Sequence, residues 1–168
     1  MSDLLLDASV WLAALDLDDR FHVASAALVE AAGDDAAAND VTEGDAANDD
    51  PVTLVALDLT LYEVANVAVV SWHSQAHAKR LVELIRLACP ATLDRVDEER
   101  MHGAAKIATE HNLTVYDAAY VAAAHRQDWT LVSCDLKDLV RPGLAVAPDA
   151  VLLSPPPEKG RSQRRQVR

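Results

Sequence analysis

Hydrophobic and polar positions divide the chain into short apolar runs separated by longer segments of helical period. "DLLLD" (residues 3–7) is a continuous apolar run too short for a helix and reads as a buried strand. From Ser9 to about Leu15 the pattern turns helical, and "FHVASAALVEAAG" (21–33) reads as a second helix closed by Gly33. "VTLVALD" (52–58), rich in β-branched residues, is a further strand, as are "WTLVS" (129–133) and "LAVAP" (144–148). Helical spacing covers Thr60–Trp72 and Gln75–Leu87. It resumes after Asp97, a predicted N-cap, where Met101, Ala104, Ala105 and Ala108 recur at i, i+3, i+4, i+7. "LTVYDAAYVAAAHRQD" (113–128) runs from a short extended piece into an alanine-rich helix, and "DLKDLV" (135–140) reads as one helical turn. Strands alternating with helices, without internal repeats, predict an α/β fold, a three-layer α/β/α sandwich with a central, mostly parallel sheet.

Two segments stand outside this pattern. Residues 33–50, "GDDAAANDVTEGDAANDD", have no apolar period and read as an acidic, mobile surface insertion. Residues 154–168, "SPPPEKGRSQRRQVR", read as a basic disordered tail beyond a single domain of residues 1–150. The tail is expected to be a solvated extension, though a basic segment of this kind also suits tethering of RNA or a protein partner.

Composition narrows the class. Residues are 51% hydrophobic and only 4% aromatic, so the core is Ala, Val and Leu. No apolar run approaches the ~20 residues needed to span a bilayer, and the N-terminus lacks the basic start and cleavage site of a signal peptide. Cys89 and Cys134 are isolated and offer neither a disulfide framework nor a zinc spacing. A cytoplasmic protein is expected. The net charge is −12; the last ten residues carry five bases and no acid, which leaves −17 for residues 1–158. Acids spread through patterned segments favour adaptation to a halophilic cytoplasm over a disordered acidic tail.

Among these acids, four have placements that suggest chemistry. Asp7 follows the apolar run "LLL", Asp135 follows "LVSC", Asp117 opens a helix after "LTVY", and Glu63 sits in the apolar helix "LTLYEVANVAVVSW". No basic residue occurs between Val52 and Trp72 to pair with Glu63. Ligands of open α/β sheets gather beyond the carboxyl ends of the strands. Carboxylates clustered there without cations repel one another, and a hard divalent ion such as Mg²⁺ or Mn²⁺ removes the conflict. Each acid also has a structural reading alone: Asp7, Asp117 and Asp135 as helix caps, Glu63 as a solvated residue. Ser133 reads first as a satisfied strand hydroxyl and second as catalytic, Asn66 as an exposed helix residue, and Asp138 as surface, with reach to the metal as its alternative. His22, His73, His77, His102, His111 and His125 show no ligand spacing beyond His73 and His77, which read as an exposed face.

"LLLDASVW", "LTLYEVANV", "LTVYDAAYVAAA" and "LVSCD", in this order and spacing, resemble the PIN domain, and within it the VapC-type toxins of toxin–antitoxin modules. The resemblance spans most of residues 3–147. It implies a Mg²⁺- or Mn²⁺-dependent endoribonuclease with one or two ions held by Asp7, Glu63, Asp117 and Asp135. Ser133 would match the polar residue two before the last acid, and Ser9 the small polar residue after the first. It further implies a homodimer, an RNA substrate, and a cognate antitoxin whose tail enters the active-site groove. The insertion and the basic tail depart from the family pattern. Competing readings are a scaffold or binding module on the same fold, a DNA-directed nuclease, and a metal-dependent phosphatase. Against the last, Ser9 stands where Asp-x-Asp requires a second acid, and Lys137 is poorly placed.

Overall fold

The computed structural model describes residues 3–38, 53–90 and 92–153. Among these, four strands form one parallel sheet in the order β3-β2-β1-β4: β1 (Leu4–Leu6), β2 (Leu54–Leu57), β3 (Leu93–Asp94) and β4 (Thr130–Val132). Leu5 pairs with Val55 on one side of β1 and with Leu131 on the other. The helices are α1 (Ala8–Ala13), α2 (His22–Ala38), α3 (Asp58–Val70), α4 (Gln75–Ala88), α5 (Glu98–His111), α6 (Val115–Gln127) and α7 (Pro148–Leu153). A single π-helical turn, Leu136–Val140, follows β4.

The central strands are apolar at every position because both faces of a parallel sheet are covered. With side chains alternating by face, Leu4, Leu6, Leu54 and Ala56 pack with Trp11, Val64, Leu81 and Ile85 of α1, α3 and α4. Leu5, Val55, Leu57 and Leu131 pack with Ala104, Ala118, Tyr120 and Val121 of α5 and α6. The sandwich is therefore three layers deep, as the patterning predicts.

Several boundaries differ from the sequence reading. α2 continues through Gly33 to Ala38, so the first residues of the predicted insertion are helical; residues 39–50 lie outside the described residues, as does the tail. "LAVAP" does not form a strand. It contributes one parallel bridge, Val146 to Val132, before Pro148 starts α7. Val115 and Tyr116 are helical rather than extended, because Thr114 caps α6 one turn earlier than Asp117 would. β3 and α7 are absent from the sequence reading, being two and six residues long. The predicted cap Asp97 holds, its side chain accepting from Arg100 N at 2.9 Å.

Candidate active site

Parallel pairing aligns the carboxyl ends of the strands. Because Leu6 is in register with Val132, Asp7 and Ser133 emerge side by side. Asp7 is 8% exposed and Ser133 fully buried. Asp7 Oδ1 accepts Ser9 N at 2.9 Å, capping α1, while Oδ2 accepts Ser133 Oγ at 2.5 Å and Ser9 Oγ at 3.1 Å. Ser9 Oγ in turn accepts Cys134 N, and Ser133 Oγ accepts Asp135 N, both at 3.0 Å. The cap reading and the site reading of Asp7 are thus the same geometry.

Glu63 reaches this end from α3. Its Oε2 accepts the hydroxyl of Tyr120 at 2.5 Å, and Tyr120 also shares a 2.9 Å hydrogen bond with Thr60 Oγ1. Thr60 and Glu63 lie three residues apart on α3, as Asp117 and Tyr120 do on α6, so each pair shares a helix face. Asp117 is held by Thr114, whose hydroxyl donates to Oδ2 at 2.7 Å and accepts Asp117 N at 3.1 Å. Thr114, not Asp117, is the N-cap, which corrects the capping reading of Asp117.

Electrostatics tie three of the four acids together. Burial raises the Asp7 carboxyl above its ordinary value, the Ser133 and Ser9 donors oppose this, and the negative charge of Asp117 adds to the rise. Glu63 is raised first by burial, against its Tyr120 hydrogen bond, and further by the charges of Asp7 and Asp117. Tyr120 is pushed well above the usual phenol range by burial and then by the charges of Asp7 and Glu63. Asp135 joins through its backbone N–H to Ser133, while its Oδ1 caps the π-turn by accepting Lys137 N and Asp138 N at 2.9 Å. Asp138 pairs instead with Lys137 at 3.2 Å. Asn66 is exposed and lines a groove beside Glu63. Among the described residues, no three His, Cys, Asp or Glu side chains are gathered tightly enough to enclose a metal ion directly. Mg²⁺ keeps several of its waters, so one or two direct carboxylates suffice.

The sequence reading missed Tyr120. Its signal was a large polar-tipped side chain in an alanine-rich helix, one turn after Asp117. Asp58 shows the opposite case. It too follows a strand, yet it accepts Val96 N at 3.3 Å and serves the local turn.

The sequence profile of the PIN domain matches residues 4–142. The chain belongs to the PIN-domain family. Solved structures agree on this fold. PAE2754 from Pyrobaculum aerophilum is 21% identical, with 90% of this chain and 94% of that one covered and a TM-score of 0.56. A toxin–antitoxin complex from Klebsiella pneumoniae is 16% identical, with 87% and 98% covered and a TM-score of 0.56. VapC20 of Mycobacterium tuberculosis, a sarcin–ricin-loop-cleaving toxin, is 16% identical, with 76% and 85% covered and a TM-score of 0.55. No curated protein matches the chain significantly. No helix among the described residues of this PIN domain is long and apolar enough to cross a membrane.

Proposed function

We propose that this PIN domain is a Mg²⁺- or Mn²⁺-dependent endoribonuclease and the toxin of a type II toxin–antitoxin module. Asp7, Glu63, Asp117 and Asp135 form its ion-binding set. One observation carries the reading: the charge of Asp117 adds to the burial that raises Asp7 and Glu63, and Asp7 adds further to Glu63, yet among the described residues all three acids are oriented by neutral hydroxyls rather than by a cation. Ser133 and Ser9 fix Asp7, Tyr120 fixes Glu63, and Thr114 fixes Asp117. Hydroxyl donors set direction without cancelling charge, so the cluster keeps its demand for a positive ion. That donor chemistry, all hard oxygen, fits Mg²⁺ or Mn²⁺.

When bound, such an ion supplies an acidified water and neutralises charge developing on a phosphodiester. The chain's own residues do the positioning. Asp7 is locked by three donors, and the Tyr120 hydrogen bond to Glu63 Oε2 leaves Oε1 to receive a proton or cation. Asp135, tethered by its backbone N–H to Ser133, is the fourth member of the proposed set. The similarity to the Klebsiella pneumoniae toxin–antitoxin complex supports a cognate antitoxin here, and that to the sarcin–ricin-loop-cleaving VapC20 supports an RNA substrate; a homodimer is proposed from the family resemblance alone. A charge of −12 supports operation in a salt-rich cytoplasm, where the Debye length falls to ~3 Å near molar salt.

The test is cleavage of labelled total RNA by the purified, partner-free chain in molar KCl, with Mn²⁺, with EDTA and with Asp7→Ala. Calorimetric titration of Mn²⁺ runs alongside. Cleavage and ion binding that both vanish in the variant are expected. An inert wild type that also binds no Mn²⁺ overturns the reading.

A further inference from the structure

The chain holds three tyrosines, and all three converge on this end of the molecule. Tyr120 is buried on Glu63. The other two each immediately precede a site acid, Tyr62 before Glu63 and Tyr116 before Asp117, and they are 78% and 60% exposed. Both rings line the same two adjoining grooves. One, of about 590 Å³, runs past Leu59, Glu63, Asn66 and Val67. The other, of about 200 Å³, runs past Leu59, Val115 and Met101. None of the described residues lining either groove is Lys, Arg or His. Phosphate contacts, which normally supply most affinity for nucleic acid, are therefore not available from these walls, and residues 1–158 carry −17.

What the walls do offer is two exposed tyrosine rings over an aliphatic floor, next to a polar amide and the carboxylates of Asp58 and Glu63. Nucleobases carry uncharged π faces that suit such a surface, and stacking loses little strength as salt rises. We propose that Tyr62 and Tyr116 form a base-stacking platform for an unpaired stretch of RNA leading into the carboxylate cluster. The platform takes over the binding role that basic side chains hold in ordinary RNA-binding proteins. Unpaired RNA is required, because the faces of paired bases are already covered by their neighbours. The inference rests on the ribonuclease reading above.

The probe is a short unstructured oligoribonucleotide carrying one 2-aminopurine, whose fluorescence is quenched on stacking. It is titrated in EDTA and molar KCl against the full chain and against Tyr62→Ala, Tyr116→Ala and the matching Tyr→Phe variants. Steady-state cleavage in Mn²⁺ and the oligomeric state are measured on the same samples. The wild type is expected to quench the probe. Each alanine variant should weaken binding about 5- to 150-fold, the range that stacking of one base spans. KM should rise with kcat nearly unchanged, and Tyr→Phe should stay within about twofold of wild type because the ring persists. Alanine variants that bind and cleave like an active wild type overturn the platform while leaving the nuclease standing. Alanine variants that fall apart into monomers overturn it in favour of a second copy of the chain. A wild type that neither binds nor cleaves RNA overturns both readings.

Discussion

Ser133 is the residue on which the site turns. It is fully buried, donates to Asp7 Oδ2 and accepts Asp135 N, so one hydroxyl sets the direction of the first acid and the position of the last. A hydrogen bond to a charged group is worth about 1.5–3 kcal/mol. Ser133→Ala is therefore expected to lower kcat/KM roughly 10- to 100-fold if that stabilisation is carried into the transition state. The Ser133 donor also lowers the proton affinity of Asp7. Its loss should move the acidic limb of the pH–rate profile to higher pH, whereas a purely structural defect would lower the rate evenly at all pH. Tyr120→Phe is the companion case on Glu63. It keeps the ring in the core but strips Glu63 Oε2 and Thr60 Oγ1 of a shared partner. A loss of about 1–3 kcal/mol in urea-denaturation stability is expected from the unsatisfied buried Thr60 hydroxyl, together with weaker Mn²⁺ binding in calorimetry.

The elements deliver these residues with unequal visibility in the sequence. β1, β2 and β4 were legible because strands buried on both faces are apolar without interruption. The acids at their ends stand out against those runs, so the placement of Asp7 and Asp135 beyond β1 and β4 is readable from pattern alone. Glu63 was legible for the opposite reason, as a carboxylate in a helix otherwise apolar. β3 escaped because two residues carry no period, and the end of α2 escaped because Gly33 is tolerated inside a helix at about 1 kcal/mol. Tyr120 escaped because its role exists only across 57 residues of chain separation, where α3 and α6, packed on opposite faces of the sheet, approach each other beyond the carboxyl ends of its strands. Thr114 escaped because "LTVY" looks extended until its hydroxyl is seen capping α6. That cap gives a prediction at this scale. Thr114→Ala is expected to destabilise the fold by about 1 kcal/mol, read as a lowered Tm. Activity should fall further than the Tm shift explains, because Asp117 loses the donor to Oδ2. Thr114→Ser, which keeps the hydroxyl, should restore both.

At the scale of the whole molecule, the buried carboxylates of Asp7 and Glu63 oppose folding in their ionised form, a penalty that the proposed cation would relieve. Asp7 and Glu63 are raised from ordinary values of 3.8 and 4.5. Between those values and the raised folded ones, the folded chain holds more protons than the unfolded chain, so stability falls as pH rises through that window. Above it the whole penalty is present; below the unfolded values it is gone. Under the proposed function a divalent ion would bind the deprotonated cluster and stabilise the fold by mass action, so its effect would have the opposite pH dependence. Melting curves recorded in EDTA and in Mn²⁺ should therefore nearly coincide at the acid end and separate as pH rises. Glu63→Gln should raise the Tm of the ion-free protein near neutrality, since it removes a charge that Asp7 and Asp117 oppose, and should narrow the gap that Mn²⁺ opens. Molar KCl is the control, because it screens exposed charges but reaches buried carboxylates much less. It should lift the ion-free and ion-loaded curves together across an acidic molecule of net charge −12. A Mn²⁺ gap of constant size at every pH, unchanged by Glu63→Gln, would place the ion on that acidic surface instead of in the cluster.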